Sequence, residues 1–182
     1  MPITQEFGWS RAEFQLALLF STGAGVVTAP LVGIFLDKIG IRKMALLGLF
    51  GLGTALSLAS KLNGELWMLY LVYALMAILG AGTIPVTWTR AVTNVFSKQR
   101  GLALGIMLSG TGICAIVIPQ ITVFITEEFG WRTAYLVLAA LPVGLAAPLV
   151  FLFFWPTESS NDNHKPEDDV GTGLTFKEAI KG

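Results

Sequence analysis

The chain has 182 residues, of which 54% are hydrophobic and 13% are charged, and its formal net charge is zero. A soluble domain of this size needs far more charge on its surface, so composition argues against a soluble protein. The zero net charge argues neither for nor against nucleic acid, but no basic patch with interleaved aromatic residues is visible outside the loops, and we expect no nucleic-acid partner. The single cysteine, Cys114, excludes a disulfide framework.

Residues 1–12 begin the chain without a basic region followed by an apolar one, so they are not a signal peptide and are expected to form a loop. Five segments without Asp, Glu, Lys, Arg or His follow. They are 23, 17, 24, 26 and 25 residues long and cover 14–36, 44–60, 66–89, 101–126 and 133–157. A helix rises about 1.5 Å per residue and needs roughly 20 apolar residues to cross a hydrocarbon core about 30 Å thick.

Four of these segments are long enough to span a bilayer, and the 17-residue segment suffices because Lys43 and Lys61 at its ends can reach the interfaces. Buried helices of a soluble protein and transmembrane strands are the alternatives, but the segments are too long for the first and lack the two-residue alternation of the second. The sequence therefore predicts an all-α membrane protein with five transmembrane helices. Pro30, Pro85, Pro119, Pro142 and Pro148 are expected to favour kinks in them.

The last part of the chain has a different composition. Residues 158–173 are polar and acidic and contain glycine and proline, which is typical of a solvated linker. We therefore predict two parts, a transmembrane bundle over 1–157 and a linker over 158–182.

Orientation follows from the basic residues. The loops 37–43 and 90–100 carry six of them, Lys38, Arg42, Lys43, Arg90, Lys98 and Arg100, and the opposite side carries three, Arg11, Lys61 and Arg132. The positive-inside rule places the two loops in the cytoplasm, with the linker, and the start of the chain outside. An outside start is awkward for insertion, and a missing upstream helix would remove the difficulty. We expect a multi-pass protein of the cell inner (plasma) membrane, in contact with the lipid bilayer.

The first basic loop has the sequence GIFLDKIGIRK, residues 33–43. It resembles the cytoplasmic signature of the major facilitator superfamily, found between the second and third helices of that family. The matching positions are Gly33, Asp37, Lys38, Gly40, Arg42 and Lys43. FSKQRGLALGI (96–106) is similar to the loop that enters the fifth helix, and FGWRTAYL (129–136) and FGW (7–9) resemble the external turns before the sixth and second helices. The resemblance covers helices two to six of about twelve.

Within that family, FGWSRAEF (7–14), GIRK (40–43) and LTFKEAIKG (174–182) resemble the monocarboxylate-transporter and oxalate/formate-antiporter branch. The resemblance implies a secondary active transporter, an antiporter or symporter, that moves a small solute by alternating access. An organic anion such as a monocarboxylate is the implied substrate, with or without a coupling ion. The implied partners are the missing first helix and the C-terminal half of the protein. The alternative is a non-transporting membrane scaffold or a subunit that needs a second half.

A membrane-embedded enzyme would need a nucleophile with a base, or metal ligands, at matching depth. The spans contain no His, Asp, Glu or Lys, and the single histidine, His164, lies in the linker. We therefore expect no catalytic residue, no metal site and no enzymatic activity. No nucleotide-binding motif is present either, so no cofactor is expected.

The signature can also be interpreted from its chemistry. Gly33 removes a side chain where two helices would meet closely, and Gly40 permits the positive φ of a tight turn. Asp37 can cap a helix start or pair with Arg42. Three basic residues meet water and anionic headgroups: Lys38, Arg42 and Lys43. By resemblance, this turn is a conformational latch between the cytoplasmic ends of the two halves. The alternative is that its charges only anchor the topology.

Inside the spans, a set of small residues favours close helix packing: Gly101, Gly105 and Ser109 at four-residue intervals, with Gly110 and Gly112 adjoining. By resemblance, this helix packs against the second half. Arg90, Thr87 and Gln120 are the candidates for the substrate path. Arg90 either faces the cavity and holds an anion or extends to the cytoplasmic surface. A threonine can instead bond back to its own helix.

Overall fold

A computed structural model of the chain describes residues 2–96 and 99–153. Eight α-helices occur in these residues: α1 (Pro2–Phe7), α2 (Arg11–Ile39), α3 (Ile41–Ala59), α4 (Leu66–Leu79), α5 (Pro85–Val95), α6 (Arg100–Phe129), α7 (Trp131–Ala140) and α8 (Ala147–Phe153). A 3₁₀ segment, Gly80–Thr83, separates α4 from α5, and a π-helical segment, Leu141–Ala146, joins α7 to α8. No strand is present in the described ranges. The expectation that residues 1–12 form a loop is wrong, because a short helix occupies Pro2–Phe7 and α2 begins at Arg11.

Five helical stretches of the described chain are long and apolar enough to cross a membrane. They are Arg11–Ile39, Ile41–Ala59, Leu66–Val95, Arg100–Phe129 and Trp131–Phe153. They coincide with the five segments that lack charge, and the prediction of an all-α bundle with five transmembrane helices is confirmed. The final residues assigned to the fifth span, 154–157, the linker 158–182 and Lys98 lie outside the described residues.

The five spans run in alternate directions, which gives the bundle two distinct ends. We call one the aromatic end, where Phe7, Trp9 and Trp131 lie at the start of the first and fifth spans. The other is the charged end, which carries Asp37, Arg42 and Arg90. A buried cluster closes the aromatic end and consists of Ile3, Trp9, Ala17, Ala59, Leu62, Leu69, Val72 and Trp131.

The first span, α2, starts at a capping box and is joined to the second span, α3, by one residue, Gly40. Ser10 and Glu13 form a capping box that starts α2, in which each side chain bonds the backbone of the other. The helix ends at Gly40, whose N–H donates to the Leu36 carbonyl at 3.1 Å and whose φ is +82° with ψ 159°. Only glycine adopts this region freely, so the chain reverses there and α3 begins at the next residue.

The last two spans are joined in the same way. Gly130 has φ +83° and ψ 160°, follows α6 directly and precedes α7. α2 has 29 residues and α6 has 30, and a proline, Pro30 or Pro119, is the twentieth residue of each. Both prolines lie inside continuous helices. α2 runs towards the charged end and α6 runs away from it, so the two helix pairs have opposite directions.

The third span is interrupted near its middle. The segment 66–89 was expected to be one helix with a kink at Pro85, but α4 stops at Leu79, the chain forms a 3₁₀ turn, and α5 starts at Pro85. Proline has no N–H to continue the ladder, and Ile84 before it is extended with ψ 156°. The Thr83 hydroxyl donates to the Gly80 carbonyl at 2.7 Å, and Trp88 Nε1 donates to the Thr83 carbonyl at 3.0 Å. These bonds satisfy carbonyls that the break releases inside the bundle.

The break is possible because α3 approaches it at glycines. A Cβ added to Gly48 would lie 2.6 Å from the Gly82 Cα, and one added to Gly51 would meet the backbone of Leu79. The backbones of α3 and the 3₁₀ segment are therefore in direct contact. α6 differs, since it packs mainly on α7 and α5 and has no buried residue within the described chain.

Candidate functional site

The charged end is organised by an ion pair. Asp37, in the last turns of α2, accepts a hydrogen bond from Arg90 on α5 with 2.5 Å between Oδ1 and Nη1. The side chains are 66% and 47% exposed. The expectation that Asp37 caps a helix start or pairs with Arg42 is therefore wrong. Asp37 precedes the reversal at Gly40 and faces α5, whereas Arg42 follows it.

Arg42 makes a different contact, with the end of the fifth span. Its Nη2 donates to the Phe151 carbonyl at 2.7 Å, and its guanidinium carbon lies 4.9 Å from the centre of the Phe151 ring. A cation near the last carbonyls of α8 is favoured by the helix dipole and by the ring face. The Nε of Arg42 is buried and has no hydrogen-bond partner among the described residues. The loop thus connects α2 to α5 and α3 to α8.

The other residues of the signature have simpler surroundings. Gly40 has the positive φ that was expected of it. Lys38 and Lys43 are exposed. The close helix contact expected at Gly33 is wrong for the described chain, because a Cβ placed there would meet no atom within 4 Å. The helix face that carries Gly33 is not covered by any described element at that point.

The three candidates for a substrate path do not converge. Arg90 is paired with Asp37 at the charged end, which compensates its charge. Thr87 is 0% exposed, and its Oγ1 is buried without a hydrogen-bond partner in the part of the chain that the structure describes. Gln120 is exposed on α6. A cleft of about 360 Å³ between α3 and α7 and another of about 240 Å³ beside Trp131 are lined by none of the three.

The glycines of α6 have no close neighbours in the described chain, unlike the glycines of α3. A Cβ added to Gly101, Gly105, Gly110 or Gly112 would have nothing within 4 Å among the described residues. The Ser109 hydroxyl donates to the Gly105 carbonyl of its own helix at 2.8 Å. Sequence reasoning missed the packing glycines, which are Gly48, Gly51 and Gly53 of α3. The signal was present as the GLFGLG stretch, residues 48–53.

Metal chemistry finds no support at either end. Among residues 2–96 and 99–153, no group of three or more His, Cys, Asp or Glu side chains could hold an ion. The ionic contacts at the charged end join helices to one another.

The family model described as Major Facilitator Superfamily matches residues 1–181. The chain belongs to the major facilitator superfamily. The resemblance found from the signature loop and the FGW turns is thereby confirmed. Proteins of this superfamily are transporters and not enzymes, and the five apolar spans make this chain a multi-pass membrane protein.

Three curated relatives illustrate the range of the superfamily. Monocarboxylate transporter 14 of Homo sapiens is 28% identical over 142 residues, which are 78% of this chain and 28% of the relative. Riboflavin transporter RibJ of Trypanosoma brucei brucei is 29% identical over 115 residues, 63% of this chain and 21% of the relative. Multidrug resistance protein MdtG of Yersinia enterocolitica is 29% identical over 150 residues, 82% of this chain and 34% of the relative. The chain thus spans about a third or less of these relatives.

Proposed function

We propose that this chain is part of a secondary active transporter that moves a small organic anion, such as a monocarboxylate, by alternating access. Membership of the superfamily supports transport of a small solute, and the relative named monocarboxylate transporter 14 supports the anion. Relatives named for riboflavin and for drug resistance favour other cargoes, so the choice of anion rests on the branch resemblance. The proposed transporter works as an antiporter or symporter, with or without a coupling ion.

The observation that carries the mechanism is the ion pair between Asp37 and Arg90. An exposed pair of this kind contributes only about 0 to 1 kcal/mol, and both side chains are about half exposed or more. A contact so weak can open and close in every transport cycle. The signature residues Gly33, Asp37, Lys38, Gly40, Arg42 and Lys43 would then form a conformational latch that is remade as the halves rock.

Arg90 connects this latch to the substrate path. Its charge is compensated by Asp37, so it would hold an anion only after Asp37 is released. Thr87 lies three residues before Arg90 on α5, and its hydroxyl has no hydrogen-bond partner among the described residues. This hydroxyl would bind substrate once the bundle rearranges. Gln120 would reach the path from α6. These three residues remain the proposed contacts with substrate.

We propose that the charged end and the linker 158–182 lie in the cytoplasm, and the excess of basic residues in the loops 37–43 and 90–100 supports this orientation. The partners are then the bilayer, a first helix and a C-terminal half. The exposed small face of α6, which includes Gly101, Gly105, Ser109, Gly110 and Gly112, would pack against that half. We propose the plasma membrane as the location.

A second candidate is a non-transporting scaffold or subunit that needs a second half. The lack of any buried residue in α6 within the described chain supports the need for a second half, which this candidate shares with the transporter. Reconstitution of the chain alone distinguishes the two. No uptake by the 182-residue chain together with uptake by a longer native product supports the transporter. No uptake by any native form supports the scaffold.

The size of the native product is the first measurement. Sequencing the DNA on both sides of the reading frame and weighing the protein from membranes would show whether a helix lies upstream and about six lie downstream. In that longer protein, Asp37→Asn should leave membrane insertion normal and slow uptake, because the pair with Arg90 loses its charge. Glu128→Gln, at the opposite end, is the control. Unchanged uptake kinetics in Asp37→Asn would refute the latch.

A further inference from the structure

The aromatic end contains two copies of one short motif. Each copy is a glutamate followed by Phe-Gly-Trp, at residues 6–9 and 128–131. Gly8 and Gly130 both have positive φ, +68° and +83°. The copies differ at the next position. Ser10 caps α2, whereas Arg132 has its side chain free to reach another element.

The glutamate of the first copy binds the second copy. Trp131 Nε1 donates to one carboxylate oxygen of Glu6 at 2.5 Å, and Arg132 Nη1 donates to the other at 2.8 Å. Hydrogen bonds to an ionised carboxylate are stronger than neutral ones. Each oxygen therefore has its own donor, and the two donors are adjacent in sequence.

Aromatic rings lie beside this ion pair, in which the Arg132 side chain is 48% exposed and the Glu6 side chain 41%. The Arg132 guanidinium carbon lies 4.2 Å from the centre of the Trp131 ring and 5.9 Å from that of Phe7. The Phe7 and Trp131 rings meet edge to face at 5.8 Å, and Phe7 and Trp9 are 4.8 Å apart. Both tryptophans are buried, at 8% and 7% exposure. Cation–π and ring contacts of this geometry add to the ionic contact.

The turn between α3 and α4 also contacts this aromatic cluster, through Gly64. Trp9 Nε1 donates to the Gly64 carbonyl at 2.9 Å. Gly64 has φ +99°, and a Cβ there would lie 2.8 Å from Cδ1 of Phe7. Glycine is thus required both by the backbone and by the ring that covers it.

We propose that the two FGW motifs form an interlocking clamp, made of Glu6, Phe7, Trp9, Trp131 and Arg132, which fixes α1 and the adjacent ends of the first, third and fifth spans as one unit. The ion pairs at the two ends are both partly exposed, but the clamp adds two buried tryptophans, Trp9 and Trp131, whose indole N–H groups bond Gly64 and Glu6. Movement within this part of the bundle is then confined to the charged end. The inference does not depend on what is transported.

The test uses the 182-residue chain in detergent micelles and measures amide hydrogen exchange peptide by peptide. Glu6→Gln and Arg132→Gln should each increase exchange several-fold at residues 3–7 and at the hydrogen-bonded amides of Met68 and Leu69. Exchange at residues 44–56 should stay unchanged, because local opening follows the loss of local contacts. Glu128→Gln is the matched control. Glu128 occupies the same motif position and is exposed, and its side chain has no hydrogen bond or ion pair among the described residues.

A charge swap distinguishes loss of the specific ion pair between Glu6 and Arg132 from general destabilisation of the fold. Glu6→Arg and Arg132→Glu should each increase exchange, and the double variant should recover about half of the protection or more, as double-mutant cycles reveal for coupled residues. The proposal is overturned if Glu6→Gln exchanges at residues 3–7 like Glu128→Gln. It is also overturned if the conservative variants increase exchange equally throughout the bundle.

Discussion

The direct contact between α3 and the 3₁₀ segment can be tested with one methyl group. In Gly48→Ala the new Cβ would lie 2.6 Å from the Gly82 Cα, 2.7 Å from the Gly82 carbonyl carbon and 2.8 Å from the Thr83 nitrogen. All three atoms belong to backbone, so no side chain can rotate away. Either α3 or the break in the third span has to move.

The magnitude follows from two opposing effects. Alanine improves the intrinsic stability of a helix over glycine by about 0.5 to 1 kcal/mol. Overpacking a filled site costs about 1 to 3 kcal/mol, and a clash with backbone belongs at the upper end. We expect Gly48→Ala to lower the free energy of unfolding by about 1 to 2 kcal/mol. For a chain of this size that is a fall in melting temperature of about 2 to 8 °C.

The assay is thermal unfolding in detergent micelles, followed by circular dichroism of the helices. Gly105→Ala is the matched control, because a Cβ there meets nothing within 4 Å among the described residues. It should leave the melting temperature unchanged or raise it. A Gly48→Ala protein as stable as Gly105→Ala would refute the contact. If the native protein has a second half that packs against α6, Gly105→Ala should be destabilising in that protein.

Three further predictions concern the turns, Arg42 and Glu6. Gly40→Ala and Gly130→Ala should each lower the free energy of unfolding by about 1 to 3 kcal/mol, because φ near +82° with ψ near 160° is a backbone region that essentially only glycine adopts. Thermal unfolding measures this change, with Gly23→Ala as the control. Stability equal to that of the control would contradict the prediction. Arg42→Gln should speed hydrogen exchange at residues 147–153, because the Phe151 carbonyl loses its donor, and unchanged exchange would show that the contact is unimportant. Hydrogen bonds from Trp131 and then Arg132 hold the pKa of Glu6 below its usual 4.5. The clamp should therefore be intact above pH 4.5 and should loosen as the pH falls through the lower pKa of the folded protein. Tryptophan fluorescence should show this acid transition, and its persistence in Glu6→Gln would assign it to another group.

The spans could be predicted from sequence because the hydrocarbon core excludes unpaired charge. The residues that flank each segment, such as Lys43 and Lys61, mark where the interface begins. The turn at Gly40 was also predictable, since its conformation depends on one residue and its neighbours. Local causes of this kind can be recognised without knowing the rest of the fold.

The ionic partners could not be predicted, because they are set by tertiary structure. Asp37 is 53 residues from Arg90 and only five from Arg42, so sequence distance favoured the wrong arginine. The pair between Glu6 and Arg132 spans 126 residues. Both pairs depend on which helix ends meet, and that is determined by packing between spans.

Glycine content was misleading for the same reason. α3 and α6 are both rich in glycine, yet only the glycines of α3 contact another backbone in the described chain. The break after Leu79 likewise needed more than Pro85. The break also depends on the contact between Gly82 and Gly48. Gly48 lies on α3, so the sequence of the third span alone does not reveal this contact.

The two helix pairs joined at Gly40 and Gly130 have a consequence for symmetry. Helices of nearly equal length, each with a proline at the same position and an almost identical glycine turn, run in opposite directions across the bundle. A two-fold axis lying in the membrane plane would exchange them, and it would also exchange the two membrane surfaces. The signature turn and the second FGW turn would then be symmetry-equivalent turns on opposite sides of the bilayer. The first carries charged residues and the second carries aromatic rings.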